Sequence, residues 1–302
     1  MIADAVGRVV ALMNSVSPAL SPRLACVGDN CIDHYLPPIG RRFAAGNAIN
    51  VAVWLRRSRL AVDYFGAVGH DDDGRLIRST LATEGVGVDH VATLSVPTSL
   101  TDIVVSPHGE REFVRVVEGA AEEYEVDAEA VAVLSTYGLV HAVNVLDHTV
   151  LSGPLLAAGV PVTYDFDTCA RLPAVEGLTI VFFSPETGMS PSCVDDLVAD
   201  CVRRGARAAI AMCGPLGSVG CDVRGIVRVR ATPVAAVDTC GAGDSYIAAV
   251  IATHLAGGDL DRCMHAGAAL AATVCRHVGA LPPGVVPSTV SPSSTPSAQE
   301  GI

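Results

Sequence analysis

The chain has 302 residues, half of them hydrophobic and 17% charged, with one Trp and a formal net charge of −12. That length can bury the core of one α/β domain of roughly 250–280 residues, and the acidic balance excludes nucleic acid and anionic membrane as main partners. All 20 basic residues are Arg, so a Walker A loop and a protein-amine Schiff base, which both need Lys, are excluded.

Residues 1–22 read as an extension closed by Ser21-Pro22, without the basic-then-apolar layout of a signal peptide. Apolar runs break before the length of about 18 residues that a membrane span needs. The ten Cys form no CxxC pair, and several sit inside apolar runs such as Ala25-Cys26-Val27. Free thiols of a reduced, cytoplasmic protein are expected. The first strand is predicted over 23–27 and broken by Gly28-Asp29-Asn30, followed by an irregular β excursion over 32–43. A helix over 48–57, a strand over 62–68 and a helix over 72–84 follow, the last stopping before Gly85. Two β-branched arms, 100–106 and 112–117, flank Pro107-His108-Gly109-Glu110 as a hairpin.

From residue 126 helices and strands alternate: helices over 127–135, 148–158 and 192–204, strands over 138–143, 160–164, 178–183 and 207–212. A β-rich patch over 216–235 precedes two helices at 243–256 and 259–277. Such alternation predicts an α/β fold with three layers, α/β/α, around a mostly parallel sheet. The segment 282–302, rich in Pro and Ser, reads as a disordered tail.

The chemistry concentrates in Asp238-Thr239-Cys240-Gly241-Ala242-Gly243-Asp244, where an apolar strand-like run meets a helix. Small residues at a helix N-terminus let backbone N–H groups surround an anion. Phosphoryl transfer asks for that electrostatic cradle and a positioned acceptor hydroxyl, with little covalent chemistry beyond them. Gly241, Ala242 and Gly243 are predicted to supply the amides. Asp244, in the first helical turn, is predicted to be ionised and to take the hydroxyl proton. An ordinary Gly-rich turn with Asp244 as a helix cap is the structural alternative.

Ala44-Ala45-Gly46-Asn47-Ala48-Ile49-Asn50 opens another helix, with Asn47 and Asn50 on one face. Paired amides suit a polyhydroxylated ligand, although caps or solvent-facing amides fit the same pattern. Asp33 could add a carboxylate to sugar hydroxyls. The run Asp71-Asp72-Asp73 lacks the alternating spacing of a calcium loop and reads as a turn and helix cap. Gly214 and Gly217 form a turn after strand 207–212. Ser184-Pro185-Glu186, Asp165 and Asp167 end other strands on the same rim, where open α/β sheets bind ligands.

Together these residues resemble the ribokinase-like PfkB family of carbohydrate kinases over about 23–281. The resemblance implies ATP and Mg²⁺, transfer of the γ-phosphoryl group to a sugar or nucleoside hydroxyl, and a small β lid over the sugar, here 32–43 with 98–117. It implies Asp244 as base and 241–243 as anion hole. It assigns Asp33, Gly46, Asn47 and Asn50 to substrate, the Gly214–Gly217 turn and Ser184 to nucleotide, and Glu186 to the metal. Some members bind a monovalent cation beside the segments of Asp238 and Gly279, and the lid offers a homodimer surface. The chain departs from the family at its Asn-x-x-Glu motif, where Ser184 stands for Asn and Glu186 comes one residue early. Met212 replaces a Thr before the nucleotide loop. Phe183-Ser184, Cys31-Ile32-Asp33-His34-Tyr35, the run from Gly46 to Val53, and Val140-His141 look like the fructoselysine 6-kinase branch, with Ala45 where that branch has Gly. That branch phosphorylates the 6-hydroxyl of sugar–amine adducts. A ribokinase, nucleoside kinase or phosphofructokinase, and a catalytically silent ligand-binding protein on the same scaffold, stand as the alternatives.

Overall fold

A computed structural model describes residues 22–106, 111–145, 147–169 and 174–287. The expected extension apart from Pro22, the hairpin turn at 107–110 and the tail beyond 287 lie outside the described residues. Strand β1 (Leu24–Gly28) is an unbroken buried run, as a strand covered on both faces must be. It pairs in parallel with β4 (Val62–Gly69) on one side and with β8 (Leu139–Val143) on the other. Beyond β4 lies β5 (Val91–Leu94), a short strand the sequence pattern did not reveal. Beyond β8 follow β9 (Val162–Cys169), β10 (Ile180–Pro185) and β11 (Ala208–Met212), all parallel. The β-rich patch over 216–235 resolves into an antiparallel hairpin, β12 (Ser218–Asp222) and β13 (Gly225–Val229), which ends this nine-stranded sheet.

Side chains alternate across the sheet with the two-residue period of extended chain. Leu24, Cys26, Ile180 and Phe182 pack toward α1 (Asn47–Arg57), α2 (Asp72–Thr83), α6 (Ala242–Leu255) and α7 (Leu260–Val274). Ala25, Val27, Val181 and Phe183 pack toward α3 (Ala128–Leu134), α4 (His148–Ala157) and α5 (Pro191–Arg203). Two apolar faces of one sheet thus demand two helical layers, the three-layer order expected. The predicted 3.6-period helices are present, with ends shifted by a few residues; the last stops at Val274 rather than 277.

The lid is a separate four-stranded sheet in the order β3 (Arg41–Ala45), β2 (Cys31–Tyr35), β6 (Leu100–Val105), β7 (Arg111–Val117). The chain enters it from the carboxyl ends of β1 and β5. Its base is tied down: Asp71, the N-cap of α2, accepts from Gly74 N–H at 2.8 Å and also from the N–H and hydroxyl of Thr98 at 2.8 and 2.7 Å. Asp71 therefore acts as the helix cap expected of the Asp run, and pins the lid's return segment as well. Tyr35, Ile103, Cys240 and Ala280 form a small core between lid and body.

Candidate active site

Strand order reverses beside β1: the chain first builds outward through β4 and β5 on one side, then returns to build outward from β8 on the other. Ligands in open α/β sheets bind outside the carboxyl ends of strands at such a point. Here Asp29 follows β1 and Asn144 follows β8, and the Asn144 side chain hydrogen-bonds the Asp29 carboxylate. Asp29 also accepts from the N–H groups of Asn47 and Ala48 at 3.2 and 3.1 Å. The α1 N-terminus is thus capped from β1 rather than by its own first residues. Gly46 precedes it at φ 121, and a Cβ there would lie 2.4 Å from the Asn30 Cα, so only glycine lets the two segments meet.

Asn47 and Asn50, predicted as a pair on one helical face, divide their work. The Asn47 side chain is half-buried and has no hydrogen-bond partner among the described residues, so it is open to a ligand. Asn50 is 3% exposed and donates through Nδ2 to Asp244 Oδ2 at 2.8 Å. Its Oδ1 is buried with no partner among the described residues. Expected to hold substrate, Asn50 holds the carboxylate expected to act on it.

The loop before α6 shows three departures from the sequence reading. Ala242 N–H is directed to Thr239 O at 3.3 Å, so it is not free for an anion. The unpaired donors among the described residues are the N–H groups of Gly241, Gly243 and Asp244 itself. Gly241 is the N-cap, at φ 70. Asp238 is 0% exposed; it accepts from Tyr35 Oη at 2.6 Å, Gly279 N at 2.8 Å and Cys240 N at 2.9 Å. Expected on the cofactor side, that carboxylate instead ties the lid, the loop and segment 279 together. The third departure is electrostatic. Asp244 was expected to be ionised by the helix N-terminus, yet its pKa is raised well above the ordinary carboxylate value. Burial is the main cause; the Asn50 hydrogen bond and Arg111 oppose it, while Asp165 and Asp29 add to it. A raised pKa makes a stronger base once deprotonated, which suits proton transfer from an alcohol.

Asp33, 6% exposed, accepts from Cys240 Sγ at 3.2 Å and from Cys31 Sγ at 3.5 Å. Burial raises its pKa too, against the two thiol hydrogen bonds and Arg111. Arg111, exposed on the lid strand β7, is therefore the cation that offsets both site carboxylates in a chain without Lys. Sequence reasoning missed Arg111, Asp29 and Asn144 as site residues. Asp29 and Asn144 could have been found from their places after two central strands; Arg111 carried no local signal.

Farther along the same rim, Ser184 is half-buried where the β9–β10 register shifts, and Glu186 is exposed just beyond. Gly214 and Gly217 bracket a 3₁₀ turn between β11 and β12. Among the described residues no group of three or more His, Cys, Asp or Glu is arranged to hold a metal ion. The open amides at the α6 N-terminus fit a phosphate: the space beside Gly243 is empty to 3.8 Å, where Met212 Cε stands.

The description "pfkB family carbohydrate kinase" matches residues 23–166 and 182–285. The chain belongs to that family. It is a carbohydrate kinase, a phosphotransferase with an alcohol acceptor. Among its relatives is the fructoselysine 6-kinase of Shigella flexneri, 33% identical over 260 residues, covering 85% of this chain and 98% of that protein. The fructosamine kinase FrlD of Bacillus subtilis is 28% identical over 269 residues, covering 86% and 93%. In three dimensions the chain is similar to Arabidopsis thaliana ribokinase complexed with ribose and ATP, with a TM-score of 0.74 at 22% identity, covering 86% of this chain and 95% of that one. The ribokinase-like fold follows from that likeness.

In this pfkB kinase the Asn50 bond lowers the Asp244 pKa against the effect of burial. Asn50→Ala removes an interaction that lowers the Asp244 pKa, so the acidic limb of the kcat/KM–pH profile moves to higher pH. An unshifted limb would show that Asn50 does not tune the base.

Proposed function

We propose that the chain transfers the γ-phosphoryl group of ATP to a primary hydroxyl of a fructosamine such as fructoselysine, the 6-hydroxyl being the acceptor. The observation that carries the reading is the pairing of a buried carboxylate, Asp244, with unpaired N–H groups of Gly241, Gly243 and Asp244 at one helix N-terminus. The fructoselysine and fructosamine relatives support the substrate class.

In this reading Asp33 and the open Asn47 amide receive the sugar hydroxyls, Gly46 lets the chain approach closely, and Asn50 orients Asp244. Asp244 accepts the hydroxyl proton. The N–H groups of the α6 terminus stabilise negative charge developing on the transferred group, where preorganised donors act most strongly. Ser184 and the Gly214–Gly217 turn face the nucleotide, and Glu186 serves the metal. Bound Mg-ATP supplies the phosphoryl group and neutralises part of its charge. Arg111 closes the site from the lid and adds positive charge opposite the carboxylates.

The test is a substrate panel with ADP detection: fructosamines against fructose, ribose and adenosine. A fructosamine should lead the others in kcat/KM by at least about tenfold, the discrimination one well-placed set of contacts supplies. Preference for ribose or adenosine would overturn the substrate.

Two further parts belong to this proposal. The lid strand β7 exposes Phe113, Val114 and Val116 at 52%, 47% and 61%, an apolar edge that a second copy of the lid would cover. A strictly monomeric protein in sedimentation at micromolar concentration would remove that part. The described cysteines are free and none of the described helices is long and apolar enough to cross a membrane; both support the cytoplasm as the compartment. Retention of a tagged full-length chain in a membrane or periplasmic fraction would count against it.

A further inference from the structure

Arg111 opens strand β7 directly opposite Val105, and Phe113 stands opposite Ile103. Cross-strand partners share one face of a sheet. Ile103 and Val105 belong to the small core between lid and body, so Arg111 and Phe113 project from the inner face of the lid, toward the sugar site. The guanidinium carbon lies 5.0 Å from the centroid of the Phe113 ring. The same group hydrogen-bonds the Cys240 thiol and acts on the charges of Asp244 and Asp33. Cys240 Sγ in turn stands 3.2 Å from Asp33 Oδ2. The lid thus holds a cation over the acceptor side of the site.

Its surroundings say what that cation is shaped to hold. A guanidinium carries a planar fork of N–H donors. The Cys240 bond uses part of the fork, and the residue is nonetheless exposed, so the remainder faces outward. Stacking on Phe113 occupies the flat face and leaves the edge, the part that grips a carboxylate or phosphate bidentately. Phe113 decides between those two anions. Its ring is 52% exposed beside the cation. A phosphate has no apolar part to cover such a ring, whereas an organic carboxylate brings an aliphatic arm. The residues assigned to nucleotide above, Ser184 and the Gly214–Gly217 turn, belong to the main sheet and not to the lid.

We propose that Arg111 binds the carboxylate of an amino-acid substituent on the sugar, with the methylene arm of that substituent lying on the Phe113 ring. The acceptor is then an adduct of fructose with an amino acid, preferred over one with a simple amine. The proposal rests on the fructosamine reading above and adds the residue that selects among fructosamines. An arm on the inner face leaves the β7 edge to a second copy of the lid.

Two adducts of nearly one shape test it: fructose joined through C1 to the nitrogen of β-alanine, and the same sugar with β-alaninamide, which lacks the carboxylate. The full-length enzyme, followed by ADP release, should show a KM at least about tenfold lower for the carboxylate, the scale of one charge-assisted contact. Arg111→Gln should bring the two KM values together, whatever fall in kcat it causes for both. Equal KM values for two phosphorylated adducts in the wild-type chain would overturn the assignment and leave the kinase reading intact. A variant that loses kcat on both adducts and keeps their KM ratio would overturn it as well, placing Arg111 on the transferred phosphoryl group instead.

A second arm is independent of turnover: calorimetric titration of the nucleotide-free chain with the same two adducts. The carboxylate should bind more tightly, and Arg111→Gln should abolish the difference. If neither adduct is phosphorylated while that preference holds, the fructosamine reading falls and the carboxylate site stands. Absence of preference in both arms overturns the site.

Discussion

Asp244→Asn lowers kcat by about 10²- to 10⁴-fold, the usual worth of a positioned general base, and at the same time raises the melting temperature of the ligand-free protein. Both follow from one geometry. The amide keeps an oxygen that can accept from Asn50 Nδ2, now 2.8 Å from the carboxylate, so the site keeps its shape. It cannot take a proton from an alcohol. It also removes a buried charge that stands near Asp165 and Asp29 and whose pKa burial has pushed well up.

The sign with pH is fixed by that shift. A carboxyl with a raised folded pKa binds its proton more tightly in the native state, so its stability cost is absent below the ordinary carboxylate pKa and grows as pH rises. The gain in melting temperature should therefore be close to zero near pH 4 and largest at neutral to alkaline pH. Scanning calorimetry of both forms across that range, with single-turnover kinetics beside it, gives the answer. Undiminished turnover would refute Asp244 as the base; a lower melting temperature at pH 8 would refute the electrostatic account of its burial.

Gly241→Ala should damage both activity and stability through one added methyl group. Gly241 sits at φ 70, and its new Cβ would lie 2.4 Å from Ala280 Cβ and 2.7 Å from Ala280 Cα. The left-handed conformation costs a non-glycine residue about 1–2 kcal/mol, and forcing atoms into a packed contact costs about 1–3 kcal/mol more. Because the clash is with the neighbouring segment's backbone as well as its side chain, the loop must shift, and the unpaired amides of Gly241, Gly243 and Asp244 shift with it. Loss of one such donor alone costs about 10²- to 10³-fold in comparable sites, so kcat should fall by at least about 10²-fold together with a drop in melting temperature. Gly153→Ala is the matched control: it lies in α4, where a Cβ meets nothing within 4 Å, and should be neutral or slightly stabilising. Wild-type kinetics and stability in Gly241→Ala would mean that this loop tolerates displacement and that its amides are not a preorganised cradle.

Much of the fold is written locally. The buried run Leu24–Gly28, the alternation of short apolar strands with amphipathic helices, and the Asp71 cap follow from periodicity and capping chemistry over a few residues. The run from Asp238 to Asp244 likewise declares a small-residue helix entry, and with the Gly46–Asn50 run it carries the resemblance to the PfkB sugar kinases before any coordinates. Strand β5 escaped because four residues with one buried position have too little pattern to stand out.

What the sequence carried was a class of chemistry, through its resemblance to the PfkB kinases: a glycine-rich helix entry suited to phosphate, another suited to a polyol, and no lysine for the common alternatives. Tertiary structure decided which groups meet and in what state. It took Ala242 N–H out of the cradle, turned Asn50 and Asp238 from ligand contacts into supports, and brought Asp29, Asn144 and Arg111 into one site from three separate stretches. It also raised the Asp244 pKa above the ordinary carboxylate value, against the lowering expected from the helix N-terminus. Helix capping acts within a turn and can be read along the chain, whereas desolvation and charge coupling depend on everything packed within several ångströms, whatever its distance in sequence.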